Sequence, residues 1–543
     1  MKAYFLKQTQ LLGVASVLFI FISCGTVAPI ISTPIESIDK TPLKISELTE
    51  EQQHTWGHLD LVADTIPGMS VNKAYNEIIK GQKGKETVVV AVLDSGIDID
   101  HEDLDDVIWV NKDEIPNNGK DDDNNGYVDD INGWNFLGEG YNEQLELTRI
   151  LAKGDANNPD YKRAQANYDE QYQLWQQRRG QNNQILPVLI ESNKAIVDHL
   201  GQESYTKAEV DAIKTTDQSL LRHKSIISQT YGFGIGTISE TLEAFEQQKQ
   251  QINESLDFNL NKDFNGRKTG DDPNDFSQKF YGNNNVKPSS KEESHGSHVA
   301  GIIASERNNG KGVNGVANNV KIMSVRVVPN GDEYDKDVAL GIRYAADNGA
   351  KIINMSFGKD FSPHSDWVRD AIVYAQTKDV LVVNAAGNES KDVDTEYSFP
   401  DDTFNNQEVA NNMITVGALD SKYGSDIVAG FSNYGKANVD VFAPGAQIYS
   451  TFPENEYKAI GGTSMAAPAT AGVAALIRSF YPSLSAIQVK QIIMDSGLPI
   501  QKNVVVGGDA DDVRSFSSLS KSGKIVNAYN ALILASQIAK KQS

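Results

Sequence analysis

Short apolar runs alternate with segments of helical periodicity along most of the chain. The runs are rich in β-branched residues, as in VVVAVLD, and continuous runs of this kind are typical of parallel strands buried on both faces. They occur at 88–94, 320–328, 351–358, 380–388, 413–419 and 439–445. Helical patterns follow them at 335–348, 367–378 and 486–495, and another helix opens near Ser464. Alternating strands and helices predict an α/β fold, a doubly wound and mostly parallel sheet with helices on both faces.

One long segment, residues 141–260, interrupts this alternation. It has few glycines and almost no strand pattern, and Gln, Glu, Lys, Ala and Leu dominate it, as in ISETLEAFEQQKQQI. These residue types favour helices. We therefore expect an α-helical insertion at 141–260 within one α/β domain that is formed by residues 54–140 and 261–543.

The amino terminus, residues 1–24, has the layout of an export signal. Two lysines precede an apolar run that ends in Ser-Cys, and the run is short for a membrane span. Cys24 is the only cysteine of the chain, so no intramolecular disulfide can form. The ending FISC resembles a bacterial lipoprotein signal, which implies cleavage before Cys24 and lipid attachment to it. An ordinary signal peptide or an anchoring helix is the alternative.

In either case we expect the protein to be exported and to lie at the cell envelope. The lipoprotein resemblance adds a membrane contact through the lipid on Cys24. Residues 25–53 are rich in Thr, Ser, Pro and charge, with little periodicity, and they are expected to form a tether between the anchor and the domain.

The 543 residues carry a formal net charge of −23. This excess argues against a nucleic-acid partner, because binding to phosphates requires a basic surface. It is compatible with calcium as a ligand and, equally, with an acidic surface that serves solubility alone.

A serine lies at a predicted helix start in the segment GGTSMAAPATAGVAALI. Ser464 separates a glycine-rich turn from a run of small helix-forming residues. In the first turn of a helix it would lie beside free backbone N–H groups and at the positive end of the helix dipole. Such N–H groups can stabilise the oxyanion of an acyl-transfer intermediate. A serine that only caps the helix is the alternative.

Two other segments supply an acid and a histidine. Asp94 ends the strand 88–94, at the edge where open α/β sheets bind ligands, and His295 opens the segment HGSHVAGIIA. A serine, a base and a carboxylate that orients the base are the requirements of nucleophilic catalysis. His295 and His298 also have the spacing of a metal-binding pair. The segment lacks the glutamate of an HExxH helix, so we do not expect a metal there.

Together, the three segments resemble the motifs of the subtilisin family of serine peptidases, the subtilases. The motifs are Asp94-Ser95-Gly96, His295-Gly296-Ser297-His298 and Gly462-Thr463-Ser464-Met465-Ala466-Ala467-Pro468, in the family's order along the chain. Ser297 stands where threonine is usual. The resemblance covers roughly 70–135 and 290–535 and omits the insertion. It implies a triad of Asp94, His295 and Ser464, with His295 as the general base and His298 in a structural role.

The same resemblance implies an oxyanion donor and a substrate-binding edge. In VVNAAGNES the donor is Asn388, whose side-chain amide would be held at the end of a buried strand. Backbone pairing with substrate is expected along one short segment, and small residues border it; these substrate-binding residues are Ser356, Phe357, Gly358, Ala386 and Gly387. No cofactor for catalysis is implied.

The implied function is a serine endopeptidase that hydrolyses protein or peptide substrates through an acyl-enzyme. The alternative is an inactive subtilase fold that acts as a binding scaffold through its helical insertion. For the insertion itself we hypothesise a role as a folding chaperone or a lid, with a tolerated surface excursion as the alternative.

A separate acidic loop, NNGKDDDNNGYVDDINGW at 117–134, places carboxylates at alternate positions around a glycine turn. The side chains of Asp121, Asp123, Asn125 and Asp129 could converge on one hard cation. The loop resembles an EF-hand loop, with Asn132 in place of the bidentate glutamate. We expect a structural Ca²⁺ that braces the loop; a solvated acidic turn is the alternative.

Overall fold

The computed structural model describes residues 32–542 except 37, 39–41, 45, 233–235 and 406. Cys24 and the rest of the predicted export signal lie outside the described residues. The helices are α1 (Glu50–Thr55), α2 (Leu61–Asp64), α3 (Val71–Ala74), α4 (Glu146–Lys153), α5 (Tyr161–Leu200), α6 (Lys207–Ala212), α7 (Gln218–Tyr231), α8 (Ile238–Glu254), α9 (His295–Ala304), α10 (Asp335–Asp347), α11 (Ser365–Thr377), α12 (Thr463–Phe480), α13 (Ala486–Ser496) and α14 (Ala528–Gln542).

The strands are β1 (Val88–Asp94), β2 (Gly133–Asn135), β3 (Val320–Arg326), β4 (Ile352–Met355), β5 (Leu381–Ala385), β6 (Thr403–Phe404), β7 (Gln407–Glu408), β8 (Met413–Leu419), β9 (Val441–Pro444), β10 (Ile448–Phe452), β11 (Glu456–Ile460), β12 (Leu498–Pro499), β13 (Asn503–Val506), β14 (Asp509–Ser515) and β15 (Lys524–Ile525). Nine of them form one sheet in the order β12-β15-β9-β8-β5-β4-β1-β3-β2. All neighbours in it run parallel except β12 and β15.

Helices cover both faces of this sheet. α10 and α11 pack together over one face, where Leu93, Val325 and Ile353 share a core with Val338 and Ile372. α9 and α12 pack together over the other face. The predicted α/β fold is thus confirmed, and it follows from strands that are apolar on both sides.

Three central strands end earlier than their apolar runs predict. The predicted strands extend to residues 328, 358 and 388, whereas β3, β4 and β5 end at Arg326, Met355 and Ala385. The residues beyond β4 and β5 leave the sheet at its carboxyl edge. This edge is where ligands bind in open α/β sheets, and it carries the candidate site.

Most of the described residues of 141–260 lie in helices, as their composition predicts. The 40-residue α5 packs against α4, α7 and α8. Leu189, Ile196, Ile227 and Ile238 are among the residues of a core that lies inside this segment. The segment therefore has its own apolar interior and is not a loose excursion of the chain.

The prediction of a tether at 25–53 is wrong for its described part. The backbone N–H of Ile35 donates to Asn530 Oδ1 at 2.8 Å, and Asn530 Nδ2 donates back to the Ile35 carbonyl at 3.0 Å. Ile38 is buried in a core with Trp56 and Phe442. Scattered apolar side chains, which show no periodicity in the sequence, are enough to hold this segment on the domain.

Among the described residues, none of the helices combines the length and the apolar character that crossing a membrane requires.

Candidate active site

The carboxylate at the end of β1 and the histidine that begins α9 form a hydrogen-bonded pair. His295 Nδ1 lies 2.8 Å from Asp94 Oδ1, which also accepts the backbone N–H of Ser95 at 2.8 Å. Burial lowers the pKa of His295, but the charge and hydrogen bond of Asp94 raise it, and the net shift is upward. With Nδ1 as the donor to Asp94, Nε2 is the nitrogen that can accept a proton.

Ser464 is the second residue of α12, so its backbone N–H has no partner within the helix. Its hydroxyl donates to the carbonyl of Ser356 at 3.0 Å. The Ser356 hydroxyl donates to the carbonyl of Ser464 at 2.8 Å, and Asn354 Nδ2 donates to the Ser356 hydroxyl. The serine is therefore held against the end of β4, with its proton directed at a carbonyl instead of the imidazole.

The side-chain amide of Asn388 is oriented by the residue before Ser464. Asn388 Oδ1 accepts the backbone N–H of Thr463 at 2.8 Å and the Thr463 hydroxyl at 3.0 Å, which leaves Nδ2 as a free donor group. A β-carbon placed on Gly462 would lie 3.6 Å from Ser464 N and 3.7 Å from Asn388 Nδ2. Both N–H donors thus border the same small space, and donors so placed could stabilise an oxyanion.

Thr463 is a positioning residue that the sequence reasoning missed. Its hydroxyl accepts the backbone N–H of Gly387 at 3.0 Å while donating to Asn388, so it joins the helix start to the loop after β5. Gly387 has a φ of +103° in this loop, and a β-carbon there would meet Asn433 Nδ2 at 2.2 Å. Threonine beside the serine in the GTS sequence is the only signal for this role.

The predicted substrate edge beyond β4 is exposed as unpaired backbone. Within the part of the chain that the structure describes, no backbone hydrogen bond uses the N–H or C=O of Phe357 or Gly358. The next residue, Lys359, pairs with Phe399 in both directions at 2.9 Å. A peptide could add to this free stretch as a strand.

A cavity of about 280 Å³ lies between this edge and Ser464. Phe357, Gly358 and Gly387 line it, as predicted, together with Asn388 and Ser464. Two of the predicted substrate-binding residues do not line the cavity. Ser356 holds Ser464, and Ala386 packs into the core behind the loop while Ala385 lines the cavity. Successive residues of an extended segment face opposite sides, which explains why only one of the two alanines can face the cavity.

His298 lies fully buried on α9 and binds no other titratable group. Its Nε2 contacts the carbonyls of Ile448 and Lys458 at 3.0 and 3.1 Å, on the hairpin of β10 and β11. Burial is the main cause that lowers the pKa of His298 to about 4, so the ring is neutral and donates to the hairpin. Neither of the two carboxylate clusters that could hold a metal among the described residues includes a histidine.

The acidic loop gathers a different set of carboxylates from the one predicted. Oxygen atoms of Glu114, Asp123 and Asp130 lie within 4.8 Å of one another, and Glu114 and Asp130 lie outside the predicted set. Asp121 instead accepts the backbone N–H groups of Asn125 and Gly126, and Asp129 accepts those of Asn118 and Gly119. Asn125 accepts the N–H of Tyr127. The side-chain oxygens that were predicted to bind a metal instead accept backbone N–H groups and stabilise the turns of the loop.

Comparison with known proteins shows a match to the model of the subtilase family, Peptidase S8, over residues 85–518. The chain is 39% identical over 239 residues to the thermophilic serine proteinase of Bacillus sp. (strain AK1), a match that covers 44% of this chain and 52% of that protein. It is 40% identical over 197 residues to subtilisin DY of Bacillus licheniformis, covering 36% and 67% of the two chains. It is 37% identical over 239 residues to thermitase of Thermoactinomyces vulgaris, covering 44% and 74%. The match thus spans about half the length of the first of these relatives.

Proposed function

This chain belongs to the subtilase family, and from that premise we propose that it is a serine endopeptidase. The observation that carries the proposal is the convergence of three groups from distant parts of the chain. The Asp94–His295 pair lies at the end of β1, and Ser464 is held at the end of the neighbouring strand β4, next to the oriented amide of Asn388 and an unpaired backbone edge. Substrates are proteins or peptides bound in extended form along that edge.

The proposed reaction begins when a substrate carbonyl enters the space between Ser464 N and Asn388 Nδ2. The Ser464 hydroxyl turns from the Ser356 carbonyl toward His295 Nε2 and transfers its proton as Oγ attacks the carbonyl carbon. Asp94 stabilises the imidazolium that forms, and the two N–H donors stabilise the oxyanion. His295 then protonates the leaving amine, and water hydrolyses the acyl-enzyme by the same route.

Labelling with a fluorophosphonate probe tests this proposal. We expect the purified wild-type protein to be labelled, and Ser464→Ala to remain unlabelled although it folds normally. Ser356→Ala is the control variant for loss of a hydroxyl group. It removes a nearby hydroxyl that the mechanism does not use as a nucleophile. Absence of labelling in a folded wild-type sample would favour the alternative, an inactive scaffold that works through the insertion.

We also propose that a structural Ca²⁺ binds in the acidic loop, held by Glu114, Asp123 and Asp130. Three carboxylates within 4.8 Å of one another repel, and a hard cation with oxygen ligands relieves that repulsion. Burial raises the pKa of Asp130 to about 6, although hydrogen bonds from Tyr344, Asn125 and Asn111 lower it, and the charge of Asp123 adds a smaller upward contribution. A chelator should lower the melting temperature of the wild type, and Asp130→Asn should abolish that effect.

Export and a lipid anchor on Cys24 complete the proposed function and rest on the sequence alone. Cys24→Ser should move the protein from the membrane fraction to the soluble fraction of the envelope. Mass spectrometry of the amino-terminal peptide should find a lipid on Cys24 in the wild type. A mature protein that begins elsewhere, without lipid, would support an ordinary signal peptide.

A further inference from the structure

The cavity beside Ser464 has one wall that comes from the helical insertion. Leu145 and Leu147, at the start of the insertion, and Gln171, on α5, line it together with Phe357 and Phe361. These insertion residues precede Ser464 by about 300 positions in the sequence. The insertion is thus part of the candidate substrate site.

The start of the insertion is fixed to the loop after β3. The backbone N–H of Asn330 donates to the Tyr141 carbonyl at 2.8 Å, and the N–H of Glu143 donates to the Asn330 carbonyl at 3.0 Å. The N–H of Glu146 donates to Asp332 Oδ2 at 2.7 Å. Residues 141–146 are therefore held in place on both sides of Leu145.

The first part of α5 is fixed to the opposite side of the cavity. Arg163 Nη1 donates to the Asp360 carbonyl at 3.0 Å, and its guanidinium stacks 3.7 Å from the centre of the Phe361 ring. Phe361 is buried with Leu147 in a core that joins the insertion to the loop after β4. This shared core fixes the position of the cavity wall in the way that close packing fixes the interior of a domain.

The charged groups that border the cavity, Glu389 among them, have hydrogen-bond or ion-pair partners within the protein. Asp360 pairs with Lys391 at 2.7 Å, and Lys359 pairs with Asp335 at 2.9 Å. Asp332 accepts the N–H of Glu146. The rest of the wall combines leucine and phenylalanine side chains with polar groups, among them the Gln171 amide.

The cavity lies on the acyl side of the bond that would be cleaved. Asn388 and Ser464 line it, whereas His295, which must reach the leaving amine, does not. Substrate residues before the scissile bond would run along Phe357 and Gly358, and alternate side chains of an added strand point to opposite sides. One of these side chains meets the insertion.

We propose that Leu145 and Leu147, with Gln171, are specificity-determining residues that select a large apolar side chain on the amino-terminal side of the scissile bond. This inference rests on the proposed peptidase function. It assigns the insertion a role in substrate choice, in place of a role as a surface excursion.

Profiling with a positional library of fluorogenic peptides tests the inference, after active sites have been counted with the fluorophosphonate probe. Leu145 is only partly buried, so both Leu145→Ala and Leu145→Trp should fold. We expect the wild type to prefer large apolar residues at one position before the scissile bond. At that position Leu145→Trp should reduce kcat/KM for large apolar residues by about 10-fold or more, and Leu145→Ala should shift the preference toward bulkier residues.

Leu221→Ala is the matched control, because Leu221 is an exposed leucine of the same insertion on α7, outside the cavity. Its profile should equal that of the wild type. If both Leu145 variants are labelled fully and keep the wild-type profile at every position, the inference is wrong and the proposed function stands. If the folded wild type is not labelled at all, the proposed function fails and the inference fails with it.

Discussion

The buried histidine on α9 should make the stability of the protein depend on pH. The pKa of His298 falls from its ordinary value of 6.5 to about 4, mainly because burial disfavours the charged ring. At pH values between about 4 and 6.5, the imidazole of this residue is protonated in the unfolded chain and neutral in the folded protein. The stability that the neutral ring contributes is therefore fully present above pH 6.5 and is lost as the pH falls toward 4.

The magnitude follows from the two pKa values. At pH 4.5 an unfolded histidine is almost fully protonated, whereas His298 remains about three-quarters neutral. Protonation of the unfolded chain then lowers the free energy of unfolding by about 2.5 kcal/mol relative to pH 7.5. This is a large part of the net stability of a typical domain.

Urea unfolding at pH 7.5 and 4.5 measures this effect. Ser464→Ala serves as the parent, because removal of the proposed nucleophile prevents self-digestion. In that background His298→Gln retains an amide donor for the carbonyls of Ile448 and Lys458 but does not titrate. We expect the loss of stability between the two pH values to be smaller by about 2.5 kcal/mol in His298→Gln than in the parent.

His199→Gln is the control, since His199 lies exposed near the end of α5. It should lose as much stability as the parent between the two pH values. Equal losses in the parent and in His298→Gln would refute the reasoning, because they would show that the buried ring is not protonated preferentially in the unfolded chain.

Further predictions concern the candidate site and one buried ion pair. Asp94→Asn should lower kcat by about 10⁴-fold, because the histidine loses the partner that holds its tautomer. The wild-type pH profile of kcat/KM should have an acid limb above pH 6.5, since Asp94 raises the pKa of His295, and the variant should lose that upward shift. Asn388→Ala should lower kcat by about 10²- to 10³-fold while fluorophosphonate titration still counts every active site. Arg326→Met should cost about 3–5 kcal/mol in urea unfolding, because Glu293, 2.7 Å away and buried, loses its partner; adding Glu293→Gln should recover part of the loss.

Patterns that act over short stretches of the chain could be interpreted from the sequence. β1 and β8 have the bounds that their apolar runs predict, since a run buried on both faces is recognisable without knowledge of its neighbours. The helical character of 141–260 follows in the same way from residue composition. Asp94, His295 and Ser464 could be identified as candidates for a catalytic triad, because each lies in a short, specific motif at a strand end or a helix start.

Contacts between distant segments could not be predicted. The hydroxyl of Thr463 orients Asn388, 75 positions away, and Ile35 and Ile38 pack on a domain where a tether was expected. Ala386 faces the core because the strand before it sets the alternation of side chains. In the acidic loop, turn formation takes up the oxygens of Asp121 and Asp129.

The fold class, the helical character of 141–260 and the candidate catalytic residues therefore follow from local propensity or from a local motif. Which side chains meet depends on the packing of segments that lie far apart in the chain. This packing directs the Ser464 hydroxyl to the Ser356 carbonyl and lays the insertion along the cavity through Leu145 and Phe361. Packing and hydrogen bonding between remote segments fix these contacts, and no periodicity or spacing along the chain encodes them.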